Sequence, residues 1–272
     1  PLSLSWYFVW RFLSGFTGGV IMILAATTIL PHIPPARRGF VGGMIFIGLG
    51  LGIAASGTLI PELLQYGLRA TWFGLGALAF VLTALSWFGW PDTPPPPPPL
   101  ADGETSIHAT RMEKQTLRLL YVQYAANALA IVPMQVLIVN YIALNLGWGA
   151  TTGARYWAIY GLAAIFGPVL SGIWVDRIGA ARAYCVALAL QSLAIVLIIL
   201  SSNIFVLAIS IIILGLFSPG MVTMVLGRII EILPYDHHAQ RIAWGNATIT
   251  FALLQVLGGY FYAWLFAKTD GD

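Results

Sequence analysis

Eight stretches of this chain run for about 20 residues or more with scarcely a charge, the length at which an α-helix crosses a hydrocarbon core. They lie at 6–30, 39–60, 69–90, 118–142, 155–175, 181–200, 204–228 and 241–267. Barrel strands would instead alternate over about 10 residues, so the expected class is all-α, a polytopic membrane protein with eight transmembrane helices. Composition agrees. Of 272 residues 59% are hydrophobic and 8% charged, against about 25% charged in ordinary soluble domains. So few charges cannot cover a soluble surface of this size, and the solvent has to be lipid. Trp6, Trp10, Trp87, Trp90, Trp157 and Trp264 lie near span ends, where interfacial aromatics belong. The one cysteine, Cys185, has no partner for an intrachain disulfide.

Loop charge predicts direction. Arg37, Arg38, Arg111, Lys114, Arg118, Arg177, Arg182, Arg228 and Arg241 fall on one side, against Arg69, Arg155 and Lys268 on the other. Arg11, inside the first span, completes the 13 basic residues. This is a positive-inside pattern that places both ends of the chain outward and the richer side in the cytoplasm. The expected location is the cytoplasmic membrane of a bacterium.

The longest connector, Pro91 to Gln115, carries the six-proline run Pro94–Pro99. Such a tract favours polyproline II and acts as a semi-rigid spacer. The expected organisation is three helices in 1–90, a cytoplasmic linker at 91–117 and five helices in 118–272. A ligand for proline-binding domains is the alternative use of the tract.

Between the fifth and sixth spans the sequence reads "SGIWVDRIGAARA". Gly172 permits close helix approach, Gly179 a sharp turn, and Arg177 and Arg182 hold the loop on the cytoplasmic face. Asp176 at a membrane edge is costly unless it is paired or meets the positive end of another helix. An ordinary tight loop with positive-inside arginines would share these residue types. The spacing Gly-x-x-x-Asp-Arg-x-Gly-x-x-Arg resembles the signature loop of the major facilitator superfamily. The strings "RYWAIYGLAAIFGPVLSGIWVDRIG", "VLGRIIEILPYDHHAQRIAWGNAT", "FALLQVLGGYFYAWLFA" and "WRFLSGFTGG" look like its YbfB/YjiJ-type branch, over essentially the whole chain.

The resemblance implies a secondary transporter working by alternating access, with the chain as a fragment covering helices four to eleven of twelve. It also implies that Asp176 meets a helix of the opposite half, for which the span beginning near Arg38-Gly39 is the candidate. Gly172, Asp176, Arg177, Gly179 and Arg182 would form a cytoplasmic gate. It identifies no substrate beyond a small molecule.

Intramembrane polar residues are the remaining candidates. Arg11 stands on one stripe with Gly15, Gly18, Gly19 and Met22, similar to the arginine motif of proton-coupled exporters. It could contact an anion or take part in proton coupling. Equally it could be a structural ion pair or snorkel to the interface. Gly48, Gly52 and Ser56, with Gly42, Gly43, Gly50 and Gly57, read as a small-residue packing face. Gln123, Asn127 and Gln135, with Pro133 between, and Asn246, Thr250 and Gln255 read as cavity-lining amides, interhelical hydrogen bonding being the alternative. Pro219 marks an expected kink beside Met221 and Met224.

His237 and His238 lack the further ligands of a metal site. Glu62 reads as a solvated cap. No phosphate-binding Gly-Lys-Ser/Thr loop or catalytic motif is present in the sequence. No enzyme activity, cofactor or nucleic-acid partner is expected, and the expected partners are a small-molecule substrate, the lipid bilayer and, if transport is coupled, protons. The alternative function is a membrane sensor or scaffold signalling through the Pro-rich linker.

Overall fold

The computed structural model describes residues 3–89, 110–234 and 236–269. These residues form eight long helices and no strand: α1 Leu4–Ile29, α2 Arg38–Leu64, α3 Leu68–Ser86, α4 Arg111–Asn140, α5 Ala150–Ile178, α6 Ala180–Leu200, α7 Ile204–Ile232 and α8 His237–Lys268. All eight, with short 3₁₀ or π extensions on some, are long and apolar enough to cross a membrane. The all-α expectation therefore holds, and each expected span coincides with one helix, those at 6–30, 69–90 and 118–142 running on into its 3₁₀ or π extension. The six prolines and Trp90 lie outside the described residues.

Helix starts follow local chemistry. At α4, Thr110 accepts from the Glu113 N–H at 3.2 Å while the Glu113 carboxylate accepts from the Thr110 N–H at 2.6 Å. This capping box begins the helix at Arg111, so residues 111–117, expected in the linker, are helical. Asn203 and Asp236 cap α7 and α8 in the simpler one-sided way. Gly179, at φ +84°, makes the break between α5 and α6. Helices α4, α5 and α7 continue through Pro133, Pro168 and Pro219, as membrane helices tolerate when neighbours support them.

Helix α7 is the most enclosed element and α5 packs along it, while α2 packs on the other flank of α5. Glycines permit both approaches. Along α2 and α5, which run antiparallel, Gly39 meets Gly172, Gly43 meets Pro168 and Val169, Gly50 meets Ala164, and Ala54 meets Gly161. A Cβ at Gly39, Gly43, Gly50 or Gly172 would fall on the opposing backbone. Between α5 and α7, Gly167 and Gly215 are crowded in the same way. Of the expected packing face, Gly43 and Gly50 meet α5, whereas Gly48 and Gly52 have nothing within 4 Å of an added Cβ. Two small-residue stripes coexist on α2, and only the one through Gly39, Gly43 and Gly50 meets a partner.

Large apolar side chains such as Phe8, Phe73, Phe80 and Phe205 are exposed, as they should be where lipid is the solvent. The core gathers instead around Trp244 of α8. That side chain is fully buried, tilts against Phe46 of α2, and donates its indole N–H to the Met22 carbonyl of α1 at 3.3 Å.

Candidate functional site

At the arginine-rich end, the last turn of α5 meets the first turn of α2. The Asp176 carboxylate accepts the Gly39 N–H on Oδ1 at 2.9 Å and the Phe40 N–H on Oδ2 at 2.8 Å. First-turn N–H groups have no acceptor within their own helix, and the positive end of the helix dipole adds to the attraction. Asp176 is thus a bidentate cap supplied from another helix, far away in the chain. The contact requires Gly39 and Gly172, because a side chain at either would force the backbones apart. Arg38 supports the same turn by donating its Nε to the Ile33 carbonyl at 3.0 Å. Beside the contact lies a cavity of ≈ 220 Å³ whose lining includes Arg38, Asp176, Thr223 and Glu231.

The motif residues divide by role. Gly172 and Gly179 shape backbone, and Asp176 makes the bond. Arg177 and Arg182 are exposed, with no side-chain partner among the described residues.

A second carboxylate, which sequence reasoning passed over, acts beside them. Glu231, in the last turn of α7, accepts the Ala180 N–H at the start of α6 and the Arg228 Nη1 at 3.0 Å. One signal was available. Like Asp176, Glu231 sits at the C-terminal end of its own helix, where the dipole disfavours an acid. Glu231, like Asp176, instead serves another helix.

The intramembrane candidates do not come together as one site. Asn127 of α4 is buried and donates its amide to Gln191 of α6 at 2.8 Å, and Gln191 donates to Ser218 of α7 at 3.4 Å. Gln255 of α8 donates to Gln135 of α4 at 3.1 Å, which donates to the Tyr160 hydroxyl of α5 at 3.5 Å. The Asn246 side chain lies near the Tyr121 hydroxyl. Gln123 is exposed and makes no side-chain bond among the described residues. Arg11 is exposed on α1, and Gly15, Gly18 and Gly19 have nothing within 4 Å. The Asn127 Oδ1 is buried without a donor. Glu62 accepts from Gln65 at 3.2 Å, and His237 faces Gln240 at 3.2 Å. Among the described residues, no three His, Cys, Asp or Glu side chains converge.

Eight apolar helices, with a carboxylate-to-helix contact at the basic end, define a polytopic membrane protein among the described residues. A family model described as "Uncharacterised MFS-type transporter YbfB" matches residues 1–272, and the chain belongs to this family. Two curated relatives come from Mycobacterium tuberculosis, "Uncharacterized MFS-type transporter MT3072" of strain CDC 1551 / Oshkosh and "Uncharacterized MFS-type transporter Rv2994" of strain ATCC 25618 / H37Rv. Each is 26% identical over 180 residues, which is 65% of this chain and 40% of the relative. The chain therefore spans less than half the length of the curated relatives it matches.

Proposed function

We propose that this chain carries the inter-bundle gate of a secondary transporter that moves a small molecule across the membrane by alternating access. Residues 1–90 and 118–272 belong to the two bundles, joined by the linker at 91–117, whose last residues, 111–117, form the start of α4. The arginine-rich end faces the cytoplasm. The observation that carries the reading is the double hydrogen bond from Asp176 to the first turn of α2, across a seam lined by glycine on both sides.

Alternation asks for a contact strong enough to hold one state yet reversible. The α2–α5 seam meets both requirements. Its faces approach backbone to backbone near the cap, so few interdigitated side chains must disengage when the helices part. A charge-assisted helix cap is worth about 1–2 kcal/mol, which biases a two-state equilibrium about 5- to 30-fold without locking it. Arg177, Gly179 and Arg182 shape and orient the loop.

Arg11, Gln123, Asn127, Gln135 and Asn246 are proposed to serve substrate binding or coupling through conformations in which the present hydrogen bonds exchange. Proton coupling, if it operates, would act through Arg11 and a carboxylate elsewhere. Membership of a transporter family favours this reading over a sensor or scaffold and over an enzyme.

Spin labels at Arg37 and Ile178, in a Cys185→Ser background, test the gate. Asp176→Asn should broaden the distance distribution toward longer separations and slow substrate flux. Unchanged distances and unchanged flux in both directions would remove the gate assignment.

A further inference from the structure

The first two turns of α4 carry Arg111, Lys114, Gln115 and Arg118, which line an open cavity of ≈ 500 Å³. Spacings of three and four residues bring all four side chains onto one face of the helix. All four are exposed. None of the three cations has a carboxylate within ion-pair distance among the described residues, where Arg228–Glu231 is the one salt bridge. The neighbouring Glu113 is committed to its capping box on Thr110. Three cations therefore converge on a space that no described anion fills.

The same stripe changes character one turn further in. Val122, four residues after Arg118, is 67% exposed, and Ala126 follows four residues later, also exposed. Leu119, 58% exposed, lies alongside. A ligand matching this face has an anionic head at Arg111, Lys114 and Arg118 and an apolar tail against Val122, Ala126 and Leu119. We infer that the start of α4 is a binding site for an anionic phospholipid of the adjoining leaflet, its phosphate held by Arg111, Lys114 and Arg118. A soluble anion would use the cations alone and leave the apolar continuation unexplained. Juxtamembrane Lys and Arg clusters attract anionic headgroups, and arginine adds bidentate geometry toward phosphate oxygens. The inference is independent of transport and of the direction in which the chain crosses the membrane.

Native mass spectrometry of the full chain, released from nanodiscs of phosphatidylcholine with or without phosphatidylglycerol, tests it. Retained phosphatidylglycerol should exceed retained phosphatidylcholine. Arg111→Gln/Lys114→Gln/Arg118→Gln should lower the preference about five-fold per cation, or roughly 100-fold in all. Arg155→Gln, at the opposite membrane face, should leave it unchanged. Equal melting of parent and triple variant in pure phosphatidylcholine controls for folding. If the triple variant melts lower, the single variant Arg118→Gln, expected to lose about five-fold, replaces it.

Equal retention of both lipids overturns the site, as does full preference in the variants. Displacement by millimolar glycerol phosphate as effective as that by phosphatidylglycerol would also overturn it, because the tail would then contribute nothing. So would binding gained only after Asp102→Asn/Glu104→Gln, since the chain's own carboxylates would be the occupants.

Discussion

Two carboxylates in this molecule do the same chemistry at different reach. Asp176 ends α5 and caps α2, whereas Glu231 ends α7 and caps α6. Each is placed against the dipole of its own helix and is compensated by the first-turn N–H groups of another. Glu231 acts among helices that are already packed on one another. Its target begins at the Gly179 turn that also ends α5, α5 and α7 touch through Gly167 and Gly215, and Arg228 adds a second bond. Asp176 acts across the α2–α5 seam, onto a helix from a distant part of the chain. The individual bonds are comparable in strength. On the proposed gate, what differs is that the Asp176 partners have to separate while the Glu231 partners stay together.

The largest effect is expected from closing off the approach itself. Gly172→Val would place side-chain carbon on the Gly39 backbone, costing about 3 kcal/mol or more by overpacking. Labels at Arg37 and Ile178 should then report a seam that no longer closes, while Gly48→Val, facing open space, leaves the distances unchanged. A closed seam in Gly172→Val would mean that the backbones do not need to touch.

Glu231→Gln comes next. Loss of the charged cap and of the Arg228 pair should cost about 2 kcal/mol of stability, seen as a lower melting temperature in detergent. The Arg37–Ile178 distances should hold. If they shift as much as the melting does, the two caps are not separable and the comparison fails.

Asp176→Asn should give the opposite profile at smaller size. About 1 kcal/mol leaves the cap, enough for an approximately five-fold change in the open-to-closed ratio. Melting should move less than in Glu231→Gln. Equal loss of stability in the two variants would make Asp176 an ordinary structural cap.

Much of this arrangement is legible in the sequence. The eight spans follow from runs of apolar residues, because a membrane helix has to satisfy every backbone group internally and hide every charge. The Asp176 contact with the span beginning at Arg38-Gly39 followed from the resemblance together with the cost of an unpaired carboxylate at a membrane edge. Residue spacing, however, defines a face and leaves its neighbour open. Gly39, Gly43 and Gly50 and the parallel stripe of Gly48, Gly52 and Ser56 look alike in sequence, and only tertiary packing separates them. The amides show the same limit. In sequence Asn127 and Gln135 read as cavity-lining, with interhelical bonding as the alternative, and in the structure they bond Gln191, Tyr160 and Gln255. Those partners lie on other helices and share no sequence period with them. Glu231 was missed because a lone acid near a span end looks like a solvated charge until the helix it caps is in place.

The smallest effect sharpens the contrast between motif residues that bond and those that only carry charge. Arg177 and Arg182 flank the Asp176 contact and sit in the same signature loop. Both are exposed and make no side-chain bond among the described residues. Surface charges without partners contribute within about 0.5 kcal/mol. Arg177→Gln/Arg182→Gln should therefore leave melting and the Arg37–Ile178 distances nearly unchanged. Their influence should appear during insertion instead, where each basic residue helps to keep the loop on one face. Labelling of single cysteines in that loop by an impermeant maleimide reads this directly, as an increased fraction of chains accessible from the wrong side. A seam that opens in the double variant, with topology intact, would move the arginines from the orientation signal into the latch itself.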